Sequence, residues 1–158
     1  MSTLPTDLGI RQTMADDQRR RTRRDLSEQE FKGVQNSSPG KRYKYFLNEV
    51  LGHEEVWVCF LEDDLLMQKD SLGYLCPVWA HELLAFENAA KFHKNAESVP
   101  VPIEDWIKEV IYKDLRPNEI RLAVMHIPGE ECVALSCDQL LEDMSAEAKL
   151  FAKYAGDP

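Results

Sequence analysis

Three β-rich runs, residues 55–61, 65–68 and 74–79, follow one another with only short polar breaks between them. No other feature restricts the fold so strongly. Val56, Trp57, Val58 and Phe60 give the first run its β-branched and aromatic character, and Glu62-Asp63-Asp64 suits a turn. A second break spans residues 69–73. Breaks this short join antiparallel neighbours, so the stretch reads as a β-meander.

Helical periodicity flanks the meander on both sides. Tyr43, Phe46, Leu47 and Val50 keep the i, i+3, i+4, i+7 spacing of an amphipathic helix, with Gly52 placed to end it. Leu83, Leu84, Phe86 and Ala90 form the apolar side of another helix over residues 80–94. Val99-Pro100-Val101-Pro102 reads as an extended connector, because each proline disfavours α geometry in the residue before it. A further helix runs through Ile103, Trp106, Ile107, Val110 and Ile111, opened by Glu104 and Asp105 and stopped by Arg116-Pro117-Asn118. Residues 120–127 and 132–135 make a hairpin around Pro128-Gly129. Ser136 with Gln139 has the form of a capping box for a last helix. The predicted class is α+β: a single domain with an antiparallel or mixed sheet of about five strands and three to four helices.

With 158 residues, 44% of them hydrophobic, the chain suffices for one core. The string Asn36-Ser37-Ser38-Pro39-Gly40 marks the expected boundary between an arm, residues 1–38, and the domain, residues 39–158. The arm holds an arginine cluster, Arg19, Arg20, Arg21, Arg23 and Arg24, and few aromatic or β-branched residues, so it is expected to be flexible. Residues 25–31 offer it one short helix, capped by Ser27 or Asp25. Seven Lys or Arg meet six Asp or Glu before Pro39, whereas twelve meet twenty-two from Pro39 onward, giving +1 and −10 of the total −9. So acidic a body repels nucleic acid phosphate, and nucleic acid binding by it is not expected.

No apolar run approaches the roughly 18 residues of a transmembrane helix, and the first ten residues lack the apolar region of a signal peptide. The expected location is the cytoplasm. There Cys59, Cys76, Cys132 and Cys137 are expected as free thiols, with no zinc-ligand spacing among them. His53, His93 and His126 are scattered over different elements. No metal and no cofactor are expected.

The sharpest chemical string is Leu75-Cys76-Pro77-Val78-Trp79-Ala80-His81-Glu82, where a strand hands over to a helix. Cys76 and His81 would serve as nucleophile and base if they came within hydrogen-bond reach, but a lone pair five residues apart is no signature of catalysis. The bland alternative puts Cys76 in the core and His81 in the first helical turn. Asp63 and Asp64 could act as paired carboxylates, although their surroundings lack the glycine and later glutamate of a calcium loop. Phosphate-cradling glycine strings and the G-x-S-x-G elbow are absent. At their strand and helix positions Trp57, Trp79 and Trp106 are expected in the core; if one is exposed, Trp79 beside His81 is the choice, and the candidate binding residues are Trp79, His81, Glu82, Asp63 and Asp64.

The strings Pro77-Val78-Trp79-Ala80-His81, Arg42-Tyr43-x-Tyr45-Phe46, Glu55-Val56-Trp57 and Ile103-x-x-Trp106, with the final hairpin, resemble a bacterial family of short cytoplasmic proteins known as domain of unknown function 2750. The likeness covers residues 41–143. Ala80 stands where that family usually has proline, which bears on the start of the following helix. The resemblance implies a single α+β domain and brings no activity, cofactor or catalytic residue with it.

The composition favours a non-enzymatic protein-interaction module, a regulator or immunity-type protein meeting an unidentified, basic protein partner. The alternatives are a small hydrolase or transferase using Cys76 and His81, and RNA or membrane tethering through the Arg19 to Arg24 cluster. A homodimer formed through a strand edge or a Trp79 patch is left open.

Overall fold

The computed structural model describes residues 2–5 and 26–154. The expected α+β class and single domain are present, with a mixed sheet. In chain order the elements are β1 (Ser2–Pro5), α1 (Glu28–Gln35), α2 (Pro39–His53), β2 (Glu55–Leu61), β3 (Asp64–Asp70), β4 (Gly73–Val78), α3 (Glu82–Phe92), β5 (Glu97–Pro102), α4 (Ile103–Asp105) continuing as a π-helix (Trp106–Leu115), β6 (Arg121–Val124), β7 (Val133–Leu135) and α5 (Cys137–Tyr154).

Local chemistry accounts for the helix starts. Ser27 caps α1 by accepting from the Glu30 amide, and Ser38 caps α2 by accepting from the Lys41 amide, with Pro39 in the first turn where its missing donor has no helical partner to lose. The breaker string is thus a tight junction between two helices. Val34 of α1 lies in the core, and Tyr45 of α2 donates to Glu30 of α1 across 2.9 Å. Ser136 accepts from the Gln139 amide at the start of α5, as its spacing predicts. Gly52 does not end α2. The helix runs on to His53, and Glu54 takes the left-handed turn instead, at φ 57°, its carbonyl accepting from the Ile103 amide.

The strand order is β5-β2-β3-β4-β6-β7, with β1 paired to β3 off this path. Every residue of β2 but Leu61 is buried, so this strand is covered on both faces. The expected meander is strongly curled. β2 and β3 pair only at their turn, through Phe60↔Leu65 and Leu61↔Asp64, and β3 and β4 only at theirs, from Gln68↔Leu75 to Asp70↔Gly73. β4 then leaves β3, runs parallel to β6, and delivers Trp79 to β2, where Trp57 and Trp79 exchange both backbone hydrogen bonds at 2.8 and 2.9 Å. Pro77 lies in the stretch of β4 that β3 does not pair, where a strand tolerates the missing donor.

The sheet has seven strands, against about five expected. One addition is β1; the other is β5, whose stretch of prolines reads as a connector yet pairs with β2 along its whole length. Trp57 turns its backbone groups toward Trp79, so its opposite partner Pro100 stands where a strand donor points outward, and Pro102 follows two residues on with the same orientation. The prolines cost the ladder nothing and make β5 a poor template for another chain.

The helix over residues 103–115 departs from α geometry. Trp106, Val110, Ile111 and Leu115 are its buried residues, and the Arg116 amide closes an i→i−5 bond to Ile111 at 2.8 Å. Wider turns bring 106, 110/111 and 115 onto one line, which keeps all four apolar groups in the core. Elsewhere α3 packs on β2 and β5, and α2 packs on α5, β2, β6 and β7. Trp57, Trp79 and Trp106 are all at the centre, with 0–1% exposure. Trp79→Ala is expected to lower stability by about 4 kcal/mol, the loss typical of a large buried aromatic, as read from the urea midpoint at unchanged slope.

Candidate functional site

The junction of β4 and α3 brings the sequence candidates onto one short stretch but not into one reactive set. Cys76 is wholly buried, its sulfur facing the Pro77 carbonyl at 3.9 Å. Burial pushes its thiol far above the ordinary range, and the neighbouring Cys59 and Cys137 thiols add to the effect. His81 is the N-cap of α3: its Nδ1 accepts from the Leu83 amide at 3.2 Å, so that nitrogen serves the helix start. Glu82 is exposed in the first turn, where its charge complements the helix dipole.

Trp79 is not an exposed anchor. Its backbone bridge to Trp57 draws it inward, its indole Nε1–H donates to the His126 carbonyl at 2.9 Å, and its ring meets Phe92 at 6.4 Å. Asp63 is exposed in the β2–β3 turn, and Asp64, half-buried, opens β3. The Arg19 to Arg24 cluster lies outside the described residues. Among the described residues, no group of three His, Cys, Asp or Glu side chains is placed to hold a metal ion, and no helix is long and apolar enough to cross a membrane.

Sequence reasoning did not single out the side-chain chemistry of Arg42 and His126. Arg42 is 3% exposed and donates from Nη1 to the Ser37 carbonyl and from Nη2 to the Glu131 carbonyl, both at 2.6 Å. The guanidinium thereby ties the α1–α2 junction to the loop between β6 and β7. His126 stacks on Phe92 with ring centroids 5.2 Å apart, and its Nδ1 is buried with no hydrogen-bond partner among the described residues. Burial, and then the positive charge of Arg42, hold the imidazole below its ordinary range. Cys132 is half-buried; burial raises its thiol, while Arg42 and Arg121 pull the other way. Asn88, also buried, donates to the Leu84 carbonyl at 2.8 Å and to Gln35 of α1 at 3.0 Å, joining α3 to α1.

Hollows among the described residues include two of similar size. One, of about 350 Å³, is lined by Arg116, Arg121, Ser136, Cys137 and Asp138 near the start of α5, with Arg116 and Asp138 paired at 3.1 Å. The other, of about 360 Å³, lies where α2, β5 and α4 meet. Among the described residues its walls are Glu54, Glu104 and Asp105, with Pro102 and Ile103 supplying the apolar part.

Residues 43–144, from α2 into α5, match a family described as protein of unknown function (DUF2750). The chain belongs to this family. The matched stretch contains the whole meander, the Trp57–Trp79 bridge and the acidic hollow, and begins one residue after the Arg42 clamp. No curated protein and no solved structure matches the chain.

Two outcomes follow from these environments. Because the folded state holds His126 below its unfolded value, the unfolded chain binds more protons at acid pH. The His126 contribution to stability is therefore fully present above about pH 6.5 and is lost as pH falls below it. Urea denaturation of wild type and His126→Gln between pH 5 and 8 is expected to show a shallower pH dependence in the variant. In iodoacetamide labelling of the native protein followed by peptide mass spectrometry, Cys132 is expected to react first and Cys76 only with global unfolding.

Proposed function

We propose that the protein is a non-enzymatic protein-interaction module of a bacterial cytoplasm, a regulator or immunity-type protein whose acidic body meets a basic protein partner. The observation that carries this reading is the hollow walled by Glu54, Glu104 and Asp105 on a body of net charge −10. A lysine or arginine entering it would find three carboxylates around an apolar floor that can cover its alkyl stem. The surrounding field would speed the encounter and lose strength as salt is added. Burial of Cys76 and the use of His81 as a helix cap weigh against the hydrolase alternative.

The test is affinity capture on immobilised full-length protein from a lysate of the source organism at low salt, beside an E104K/D105K variant of matched thermal stability. A stoichiometric basic protein held by the wild type, and retained at least about tenfold less by the charge-reversed variant, is the expected result, tenfold corresponding to about 1.4 kcal/mol of binding. Equal retention by both proteins would exclude the hollow as the contact. Capture of no protein by the wild type would overturn the interaction reading.

A further inference from the structure

Along residues 64–67, β3 has backbone groups that β4 does not engage, because β4 pairs with β3 only at Gln68, Lys69 and Asp70 before turning to β6 and β2. A bare strand edge is a template for another strand. Here β1 covers it: Ser2, Thr3, Leu4 and Pro5 stand opposite Met67, Leu66, Leu65 and Asp64 in antiparallel register. The acceptor lies within the family region, residues 43–144, and its occupant lies outside.

The occupant is four residues long, and residues 6–27 separate it from α1. A stretch of that length can reach on the order of 70 Å, about twice the width of a folded body of this size. It can therefore deliver β1 to its own β3 or to that of a neighbouring molecule, with the same register and the same facing residues in either case. The connecting sequence contains Arg19, Arg20, Arg21, Arg23 and Arg24, and the body from Pro39 onward carries −10. In the exchanged arrangement these arginines offset part of the repulsion between two acidic bodies, which added salt weakens further.

We propose that the β3 edge at residues 64–67 is a strand-acceptor site whose trans occupant is the Ser2–Pro5 segment of a second copy of this chain, so that two molecules associate by exchanging their first strands. The cis strand competes at an effective concentration in the millimolar range, so exchange becomes visible as the protein approaches about 1 mM.

The experiment places one cysteine in each of two full-length copies, P5C and D64C, at the facing pair farthest from the core. Mixed and oxidised at about 1 mM, the copies are expected to yield a disulfide joining position 5 of one to position 64 of the other, located by peptide mass spectrometry. The double variant P5C/D64C, oxidised at micromolar concentration, is expected to close within its own chain. A link in the double variant with none between the mixed single variants would overturn the exchange; no link in either would overturn the acceptor site itself. Sedimentation of the unmodified chain supplies the second readout. Leu4, opposite Leu65, turns its backbone donor toward β3, so a dimer growing with concentration and weakened at least about tenfold by Leu4→Pro supports the proposal, whereas a dimer indifferent to Leu4→Pro, or none at 1 mM, sinks it.

Discussion

The pair of backbone hydrogen bonds between Trp57 and Trp79 closes the sheet, and the rest of the molecule is arranged around that closure. β3 touches β2 and β4 only near the two turns, so β5 and β2 on one side and β4, β6 and β7 on the other would otherwise be joined through two short ladders. Trp79 adds a second tie through its indole, which reaches the chain just past β6. α3 starts three residues later, so the bridge also sets where that helix leaves the sheet before it packs on β2 and β5. Backbone pairing, indole donation and aromatic burial converge on one residue, which leaves Trp79 nothing to offer a partner.

The polar groups kept inside join elements. Arg42 holds two carbonyls, five and 89 residues away in sequence, and no carboxylate is needed because both are strong acceptors for a guanidinium. Asn88 links two helices, and Tyr43 of α2 donates to Asp143 of α5. Burial likewise takes Cys59, Cys76 and Cys137 out of thiolate chemistry at neutral pH by raising each thiol. Glu55 is the buried carboxylate among the described residues, accepting from the Trp57 indole at 3.3 Å; the others keep some exposure, and three of them surround the hollow at the meeting of α2, β5 and α4.

Much of this architecture was legible from local patterns, since the meander, the α2 face and the Ser136 cap depend on residues close in sequence. The misses have non-local causes. β5 was hidden because Pro100 and Pro102 argue against a strand until the outward direction of their missing donors is known. Residues 106–115 satisfy a 3.6-residue period nearly as well as the wider π spacing, and only Leu115 in the core distinguishes them. Gly52 is a plausible helix stop, yet the stop came at Glu54, whose carbonyl meets Ile103 from a distant segment. The core position of the three tryptophans is the one their strand and helix places predict, whereas the role of Arg42 depends on Glu131, a pairing that leaves no mark on the sequence around it. The acidic hollow was legible only as a charge excess, because Glu54 joins residues 102–105 from about fifty positions away in sequence.

Pro77 has a meaning for the life of the chain before it is folded. Cys76 and Val78 turn their backbone groups to the edge that β6 covers, so Pro77 turns its missing donor to the other edge, between the Leu75 contact with β3 and the Trp79 contact with β2. The apolar run around Cys76, Val78 and Trp79 is the kind of segment that pairs with its like on another nascent chain. A proline at its centre interrupts the row of donors on the edge where neither β3 nor β2 pairs with it, while the parallel ladder to β6 forms on the other edge. The residue that looks like a flaw in a buried strand guards the gap its neighbours leave.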